Sequence, residues 1–151
     1  IMKKAVFPGS FDPITIGHLD IVERAIKVFD EIIIAVGDNT DKKYMFPKEK
    51  RVEFVKQTFY NYDNVKIESY DGLTVDFCRK NNIEFMIRGL RNPADFEFEK
   101  RIALTNREMT DIETIFFITS PENSFISSSI VRDLIRNNSD YKLFIPKGIT
   151  L

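Results

Sequence analysis

Five short apolar runs recur along the chain, and each is separated from the next by a segment with helical spacing. The runs occupy residues 3–7, 32–36, 65–70, 84–88 and 113–118 and are rich in β-branched and aromatic residues. Runs this short predict strands rather than helices. Because strands that alternate with helices form parallel sheets through right-handed crossovers, the pattern predicts an α/β fold: a Rossmann-like, doubly wound, five-stranded parallel sheet with helices on both faces.

The predicted helices have recognisable beginnings. Apolar spacing marks the first three, around residues 19–29, 52–62 and 73–78. A fourth is predicted to begin with Asn92 as N-cap and Pro93 at its first position and to run to about Met109, and a fifth to begin within the serines at 127–129. Ligands in such folds bind at the carboxyl ends of the strands, so the loops after strands one, four and five should share one rim.

Composition limits the function classes. The 151 residues suit a single domain spanning residues 1–151, and 22 basic against 23 acidic residues argue against a general nucleic-acid or anionic-membrane binder. One cysteine, Cys78, excludes an internal disulfide and fits a reducing compartment. No apolar run reaches the ~20 residues of a membrane span, and we expect no signal peptide. We therefore expect a cytoplasmic protein that does not bind membranes.

The loop after the first predicted strand contains the only histidine. It reads Pro-Gly-Ser-Phe-Asp-Pro-Ile-Thr-Ile-Gly-His over residues 8–18 and leads into a helix. Backbone N–H groups of a turn that enters a helix bind anions. Gly9 can let a phosphate approach the main chain, and Gly17 leaves room for His18 to face it. A lone histidine is more often an ordinary polar group, but this setting favours a functional one.

Two further loops at the predicted rim carry anion-binding residues. Arg88 and Arg91 flank a glycine after strand four, where they suit phosphate oxygens or, equally, ion pairs with Asp95, Glu97 or Glu99. The serines at 124 and 127–129 follow strand five and exceed what one N-cap requires. Three such features at one rim predict a polyphosphate ligand, in particular a nucleotide. The chain nevertheless lacks the GxxxxGK[ST], GxGxxG and GxSxG motifs of other nucleotide-binding and hydrolase classes.

The chain resembles the bacterial phosphopantetheine adenylyltransferases of the nucleotidyltransferase superfamily, from about Met2 to about Pro146. The resemblance rests on the segments SFDPITIGH at 10–18, IRGLR at 87–91, DFEFE at 95–99 and SFISSS at 124–129. It implies transfer of AMP from ATP to 4′-phosphopantetheine, which gives dephospho-coenzyme A and pyrophosphate in coenzyme A synthesis. It also implies Mg²⁺ as cofactor and a homohexamer. The family often has threonine where Ser10 stands and an aromatic residue where Asn123 stands.

The resemblance also implies the site residues. ATP would contact Ser10, Phe11, His18, Gly89, Leu90, Arg91, Glu99, Ser124, Phe125, Ile126, Ser127, Ser128, Ser129 and Ile130. Phosphopantetheine would contact Ser10, Lys42, Thr74 and Arg88. His18, Lys42 and Arg91 are the expected catalytic residues, and no side chain is expected to ligate the metal. From the residues alone, Lys42 equally suits a solvated lysine, Glu99 a helix ion pair and Thr74 a helix start.

Other functions stay open from sequence alone. A nicotinate-mononucleotide adenylyltransferase or a glycerol-phosphate cytidylyltransferase would share the first motif but normally has a histidine where Thr15 stands. A class I aminoacyl-tRNA synthetase would need tRNA-binding domains for which 151 residues leave no room. A module that binds a nucleotide without turnover is a third class. His18 and its cationic neighbours favour catalysis, because a pure binder needs no donors aimed at a transition state.

Overall fold

The five predicted strands pair into one sheet in which all neighbours are parallel, as predicted. The computed structural model describes residues 1–151, and its strands are β1 (Lys4–Gly9), β2 (Glu31–Gly37), β3 (Val65–Tyr70), β4 (Phe85–Leu90) and β5 (Glu113–Ile118). Their order across the sheet is β3-β2-β1-β4-β5. The chain therefore winds outward from β1 on one side and from β4 on the other, which places the reversal of strand order between β1 and β4.

Two predicted strand ends are wrong. β1 continues through Gly9 instead of stopping at residue 7, and β4 continues through Leu90 instead of stopping at residue 88. Arg88 and Gly89 are consequently strand residues rather than loop residues. Both extensions pair with a neighbouring strand: Gly9 of β1 lies opposite Val36 of β2, and Leu90 of β4 lies opposite Ile118 of β5. Pairing with a neighbouring strand thus overrides the low strand propensity of proline and glycine in these segments.

The helices are α1 (Ile16–Ala25), α2 (Lys48–Phe59), α3 (Thr74–Lys80), α4 (Pro93–Thr110) and α5 (Ser128–Arg136). The predicted caps of the last two are confirmed. The Asn92 side chain accepts a hydrogen bond from the Asp95 N–H, and the Ser127 side chain accepts one from the Ile130 N–H. No helix is at once long and apolar enough to cross a bilayer.

Apolar residues alternate between the two faces of the sheet and build a core on each. Ala5 and Phe7 of β1 pack with buried residues of α1, α2 and α5, such as Val22 and Val131. Val6 packs on the opposite face in a smaller cluster that includes residues of α3. The prediction of helices on both faces is confirmed. The carboxyl ends of the strands therefore project from a rigid, doubly covered sheet.

Candidate active site

Strands β1 and β4 separate at their carboxyl ends, and two clefts open there. The two strands pair only at Ala5 with Phe85 and at Val6 with Met86. Beyond that point the Arg88 side chain bridges them, since its Nη1 donates to the Pro8 carbonyl at 3.1 Å. A first cleft of about 300 Å³ and a second of about 580 Å³ are both lined by Pro8, Gly9 and Arg88. The candidate site thus lies where the strand order reverses, as expected of this topology.

The first cleft gathers residues from the carboxyl ends of β1 and β4, the loop after β5 and the N-termini of α1 and α5. Besides the three shared residues it is lined by Phe7, Thr15, Gly17, His18, Ile21, Gly89, Arg91, Asp95, Glu99, Thr119, Asn123, Ile126, Ser127 and Ser128. Most of these are polar or glycine. The three anion-binding features read from the sequence therefore converge on one cleft, as predicted.

His18 occupies the first turn of α1 and is held by the helix cap. Thr15 is the N-cap, and its backbone N–H donates to His18 Nδ1 at 2.9 Å. Because Nδ1 accepts this bond, the proton of the neutral ring resides on Nε2. Burial, and after it the positive charges of Arg88 and Arg91, lower the pKa of His18 to about 4. At neutral pH His18 is therefore an uncharged donor on the wall of the first cleft.

The two glycines of the first motif line the clefts. Gly17 lines the first cleft, and a Cβ there would lie 3.4 Å from the Thr15 hydroxyl oxygen. A Cβ on Gly9, which lines both clefts, would approach the Phe11 ring to 3.0 Å, closer than packed carbons normally come. The Phe11 ring is buried and lies 4.8 Å from the His18 ring between centroids. Phe11 therefore supports the site from beneath.

Both arginines of the fourth-strand motif are ion-paired and line the first cleft. The Arg88 guanidinium donates from Nε and Nη2 to the two Glu99 carboxylate oxygens at 2.9 and 2.7 Å. Arg91 donates from its backbone N–H and from Nε to Asp95, each at 3.1 Å. The ion-pair interpretation of these arginines is thus confirmed for Asp95 and Glu99, and the phosphate interpretation stays a prediction. A guanidinium has five N–H donors, and three on Arg88 are used, which leaves two for a ligand.

The serines around α5 each have a local partner. Ser127 caps the helix, the Ser128 hydroxyl donates to the Pro13 carbonyl at 2.8 Å, and the Ser129 hydroxyl accepts from Arg132 at 3.1 Å. The Ser124 hydroxyl donates to the Pro121 carbonyl at 2.9 Å. What α5 offers to the first cleft is therefore mainly its N-terminus, where the first backbone N–H groups have no partner one turn earlier.

The second cleft contains all four residues expected at a phosphopantetheine site. Ser10, Lys42, Thr74 and Arg88 line it, and Lys42 Nζ lies 3.4 Å from the Ser10 hydroxyl oxygen. Sequence reasoning missed the rest of this wall, which includes Asp38, Asn39, Tyr44, Tyr70, Leu73, Ile102, Asn106 and Met109. These residues come from loops and helices far apart in sequence. No local motif joins them, so only the resemblance to a family could have indicated them.

The first cleft holds two carboxylates, and neither is free. Asp95 is paired with Arg91 and Glu99 with Arg88. Nowhere in residues 1–151 do three or more His, Cys, Asp or Glu side chains cluster as metal ligands would. A divalent cation at this cleft would thus take its ligands from phosphate oxygens and water, as Mg²⁺ commonly does.

Comparison with known proteins decides the family. Residues 6–134 match the cytidylyltransferase-like family model. Phosphopantetheine adenylyltransferase of Flavobacterium psychrophilum is 59% identical over 148 residues, which cover 98% of each chain. The same enzyme of Bacteroides fragilis is 46% identical over 150 residues, which cover 99% of this chain and 100% of that one. The chain belongs to the phosphopantetheine adenylyltransferase family. The resemblance inferred from the four sequence segments is confirmed.

Solved structures agree on the architecture. A putative nicotinate-nucleotide adenylyltransferase from Vibrio parahaemolyticus aligns with a TM-score of 0.70 at 20% identity, covering 96% of this chain and 94% of that one. A bifunctional NMN adenylyltransferase/ADP ribose pyrophosphatase from Francisella tularensis aligns with a TM-score of 0.75 at 17% identity, covering 96% and 45%. At these identities the likeness shows the shared fold alone.

Some residues that the adenylyltransferase resemblance places at ATP line neither cleft. They are Phe11, Leu90, Ser124, Phe125, Ser129 and Ile130. Phe125 is largely exposed and packs edge-on against Phe144. Conversely, Asn123 and Thr119 line the first cleft, and sequence reasoning did not assign either to a ligand. Where the family often has an aromatic residue, Asn123 gives this cleft a polar wall.

Proposed function

We propose that this protein transfers AMP from ATP to 4′-phosphopantetheine, giving dephospho-coenzyme A and pyrophosphate in coenzyme A biosynthesis. The observation that carries the proposal is the pair of clefts that meet at Arg88. The first cleft is polar and faces the N-termini of two helices, which can bind the phosphates of a nucleoside triphosphate. The second combines Lys42 and Ser10 with apolar residues such as Ile102, as suits a phosphate at the end of a long organic arm.

The acceptor phosphate requires little activation. Its second pKa lies near 6, so at neutral pH it is largely a dianion and already nucleophilic. Lys42, Ser10 and the free donors of Arg88 hold it at the boundary of the two clefts. One of its oxygens then attacks the α-phosphorus of ATP from the side opposite the leaving group. The protein contributes alignment and charge stabilisation rather than a general base.

The ATP side stabilises the charge that develops during transfer. As the new P–O bond forms, the bond from the α-phosphorus to the β-phosphate oxygen breaks, and pyrophosphate leaves. His18 donates from Nε2 to the α-phosphate, while Arg91 and the N-terminus of α5 hold the departing phosphates. One preorganised donor of this kind typically contributes about 3 kcal/mol of transition-state stabilisation. A neutral His18 supplies it without repelling the nearby arginines.

Magnesium enters this scheme as part of the substrate, Mg-ATP. We propose that the ATP phosphates and water hold the ion, because Asp95 and Glu99 are already paired with arginines. The ion adds positive charge at the departing phosphates.

We propose a homohexameric assembly in the cytoplasm. Only Glu99 is buried among the 18 residues of α4. Exposed large apolar residues of this helix are Phe96, Phe98, Ile102, Leu104 and Met109. Three of them, Phe96, Phe98 and Leu104, line neither cleft and leave apolar surface that a contact between chains would cover. The buried, unpaired thiol of Cys78 is consistent with a reducing compartment.

Acceptor choice tests the proposed reaction. Purified protein with Mg-ATP should release pyrophosphate when 4′-phosphopantetheine is added, and should release little with nicotinate mononucleotide. Each acceptor is assayed at the same concentration with a coupled pyrophosphate assay, and reactions without acceptor give the background hydrolysis of ATP. Turnover with the mononucleotide equal to or above that with phosphopantetheine would overturn the proposal in favour of the rival adenylyltransferase.

A further inference from the structure

Arg51 has a fully buried charged side chain that the reaction scheme does not use. It lies in the first turns of α2 and has no solvent exposure. Nε donates to the Phe46 carbonyl at 3.0 Å, and Nη1 donates to the carbonyls of Ser10 and Gly37, both at 2.8 Å. Nη2 donates to the Asp38 carboxylate at 2.7 Å. One guanidinium thus ties together the loop after β1, the end of β2 and the segment that leads into α2.

The aromatic ring of Tyr44 covers the same guanidinium. The Arg51 Cζ lies 3.8 Å from the centroid of the Tyr44 ring. The Tyr44 hydroxyl accepts from the Asn39 N–H at 2.8 Å, and the Lys42 N–H donates to the Asn39 carbonyl at 3.0 Å. Arg51 therefore holds the loop that contains Lys42 at three points. It donates hydrogen bonds to Asp38 and Phe46 on either side of Lys42, and its guanidinium stacks on the Tyr44 ring.

Four of the five partners of Arg51 belong to one cleft, and the fifth, Phe46, lines neither. Ser10, Gly37, Asp38 and Tyr44 line the second cleft, and none of them lines the first. Arg51 itself lines neither. A displacement of the Arg51 guanidinium would move Ser10 and the Lys42 loop without a direct effect on His18 or Arg91.

We propose that Arg51 is a positioning residue for the acceptor: it sets the separation of Ser10 and Lys42 and so the place where the acceptor phosphate is held. This inference rests on the proposed function for the identity of the acceptor. Planarity of the guanidinium is the essential property, because four acceptors in different directions and a stacked ring need a flat, multiply donating group. A lysine keeps the charge but has one ammonium nitrogen and cannot reach all these partners at once.

The test compares Arg51→Lys with the unaltered protein in steady-state kinetics, varying each substrate in turn. The KM for phosphopantetheine should rise about tenfold, since small displacements of binding groups cost this much or more, and the KM for ATP should stay within about twofold. Calorimetric titration with phosphopantetheine should show the same loss of affinity. Arg51→Gln, which removes the charge but keeps a planar amide, should raise the KM for phosphopantetheine at least as much.

A matched control separates positioning from general destabilisation. Val55 lies one turn further along α2, is fully buried and packs in the main core. Val55→Ala should lower the melting temperature and leave both KM values unchanged. If the Arg51 variants raise both KM values equally, or lower the melting temperature with neither KM changed, the assignment is overturned. If the unaltered protein prefers another phosphomonoester acceptor, the proposed function fails, and the same comparison with that acceptor still decides the role of Arg51.

Discussion

His18 shows how a single residue acquires its function from its surroundings. The N-cap of α1 donates a backbone N–H to Nδ1, so the ring can donate only from Nε2. Burial, and after it two nearby arginines, lower the pKa of the ring and keep it uncharged. The same two arginines that would hold phosphates therefore add to the effect of burial on the protonation state of the histidine. The sequence alone does not reveal the tautomer or the protonation state of a lone histidine, because neither the cap contact nor the burial is a property of the residue itself.

The first prediction concerns the titration of His18, whose imidazole signals are unique in an NMR spectrum because the chain has one histidine. We expect no titration near the ordinary value of 6.5 and a midpoint near 4. Between these two pH values the unfolded chain binds a proton that the folded protein does not, so the free energy of unfolding should fall as pH falls through this window.

The control for this prediction is His18→Asn, which keeps a neutral donor and cannot titrate. Denaturant unfolding of both proteins at several pH values should show a steeper loss of stability between pH 6.5 and 4 for the protein that has His18. A midpoint near 6.5, or equal slopes for the two proteins, would contradict the uncharged state of His18.

Secondary-structure elements were the most predictable part of the molecule. Five strands, the order of strands and helices and the caps of α4 and α5 follow from periodicity and capping residues. The ends of β1 and β4 do not, because they are paired by strands distant in sequence. Those ends form the junction of the two clefts. In the second cleft, the anion-binding motifs indicated Gly9 and Arg88, and the family resemblance added Ser10, Lys42 and Thr74. Most of its other residues meet by tertiary packing alone.

The start of α4 links a cap to the ATP side of the site, and this yields a prediction at the scale of the element. Asn92 accepts from the Asp95 N–H, and Asp95 in turn holds Arg91. Asn92→Ala should lower the free energy of unfolding by about 1 kcal/mol, the usual cost of a lost N-cap, and the melting temperature by about 2–4 °C. Because Arg91 lines only the first cleft, the KM for ATP should rise while that for phosphopantetheine stays constant.

Asn92→Ser is the matched variant, because serine caps helices about as well as asparagine. Thermal melts and kinetics of the two variants should differ, with Asn92→Ser close to the unaltered protein in both. An unchanged KM for ATP in Asn92→Ala, despite a lowered melting temperature, would show that Arg91 holds its position without the cap.

At the scale of the whole molecule, packing within a single chain does not explain the exposed apolar side chains of α4. It is the longest helix, with 18 residues, and yet it leaves five large apolar side chains exposed. Helices of a monomer normally bury an apolar stripe against the core. Glu99 is the only buried residue of α4, and its carboxylate is used by Arg88. The core of one chain is therefore complete without the outer surface of α4, which remains available for contact with other copies.

The last prediction follows from this surface. Sedimentation equilibrium should give the unaltered protein a mass near six times the 17.6 kDa of one chain. Phe98→Glu combined with Leu104→Glu should give smaller species, because burying unpaired carboxylates at an apolar contact costs several kcal/mol. Neither residue lines a cleft, so the effect would not arise from substrate binding. Val28→Glu places one such carboxylate on an exposed apolar residue after α1 and should leave the mass unchanged. A single-chain mass for the unaltered protein would contradict the assembly.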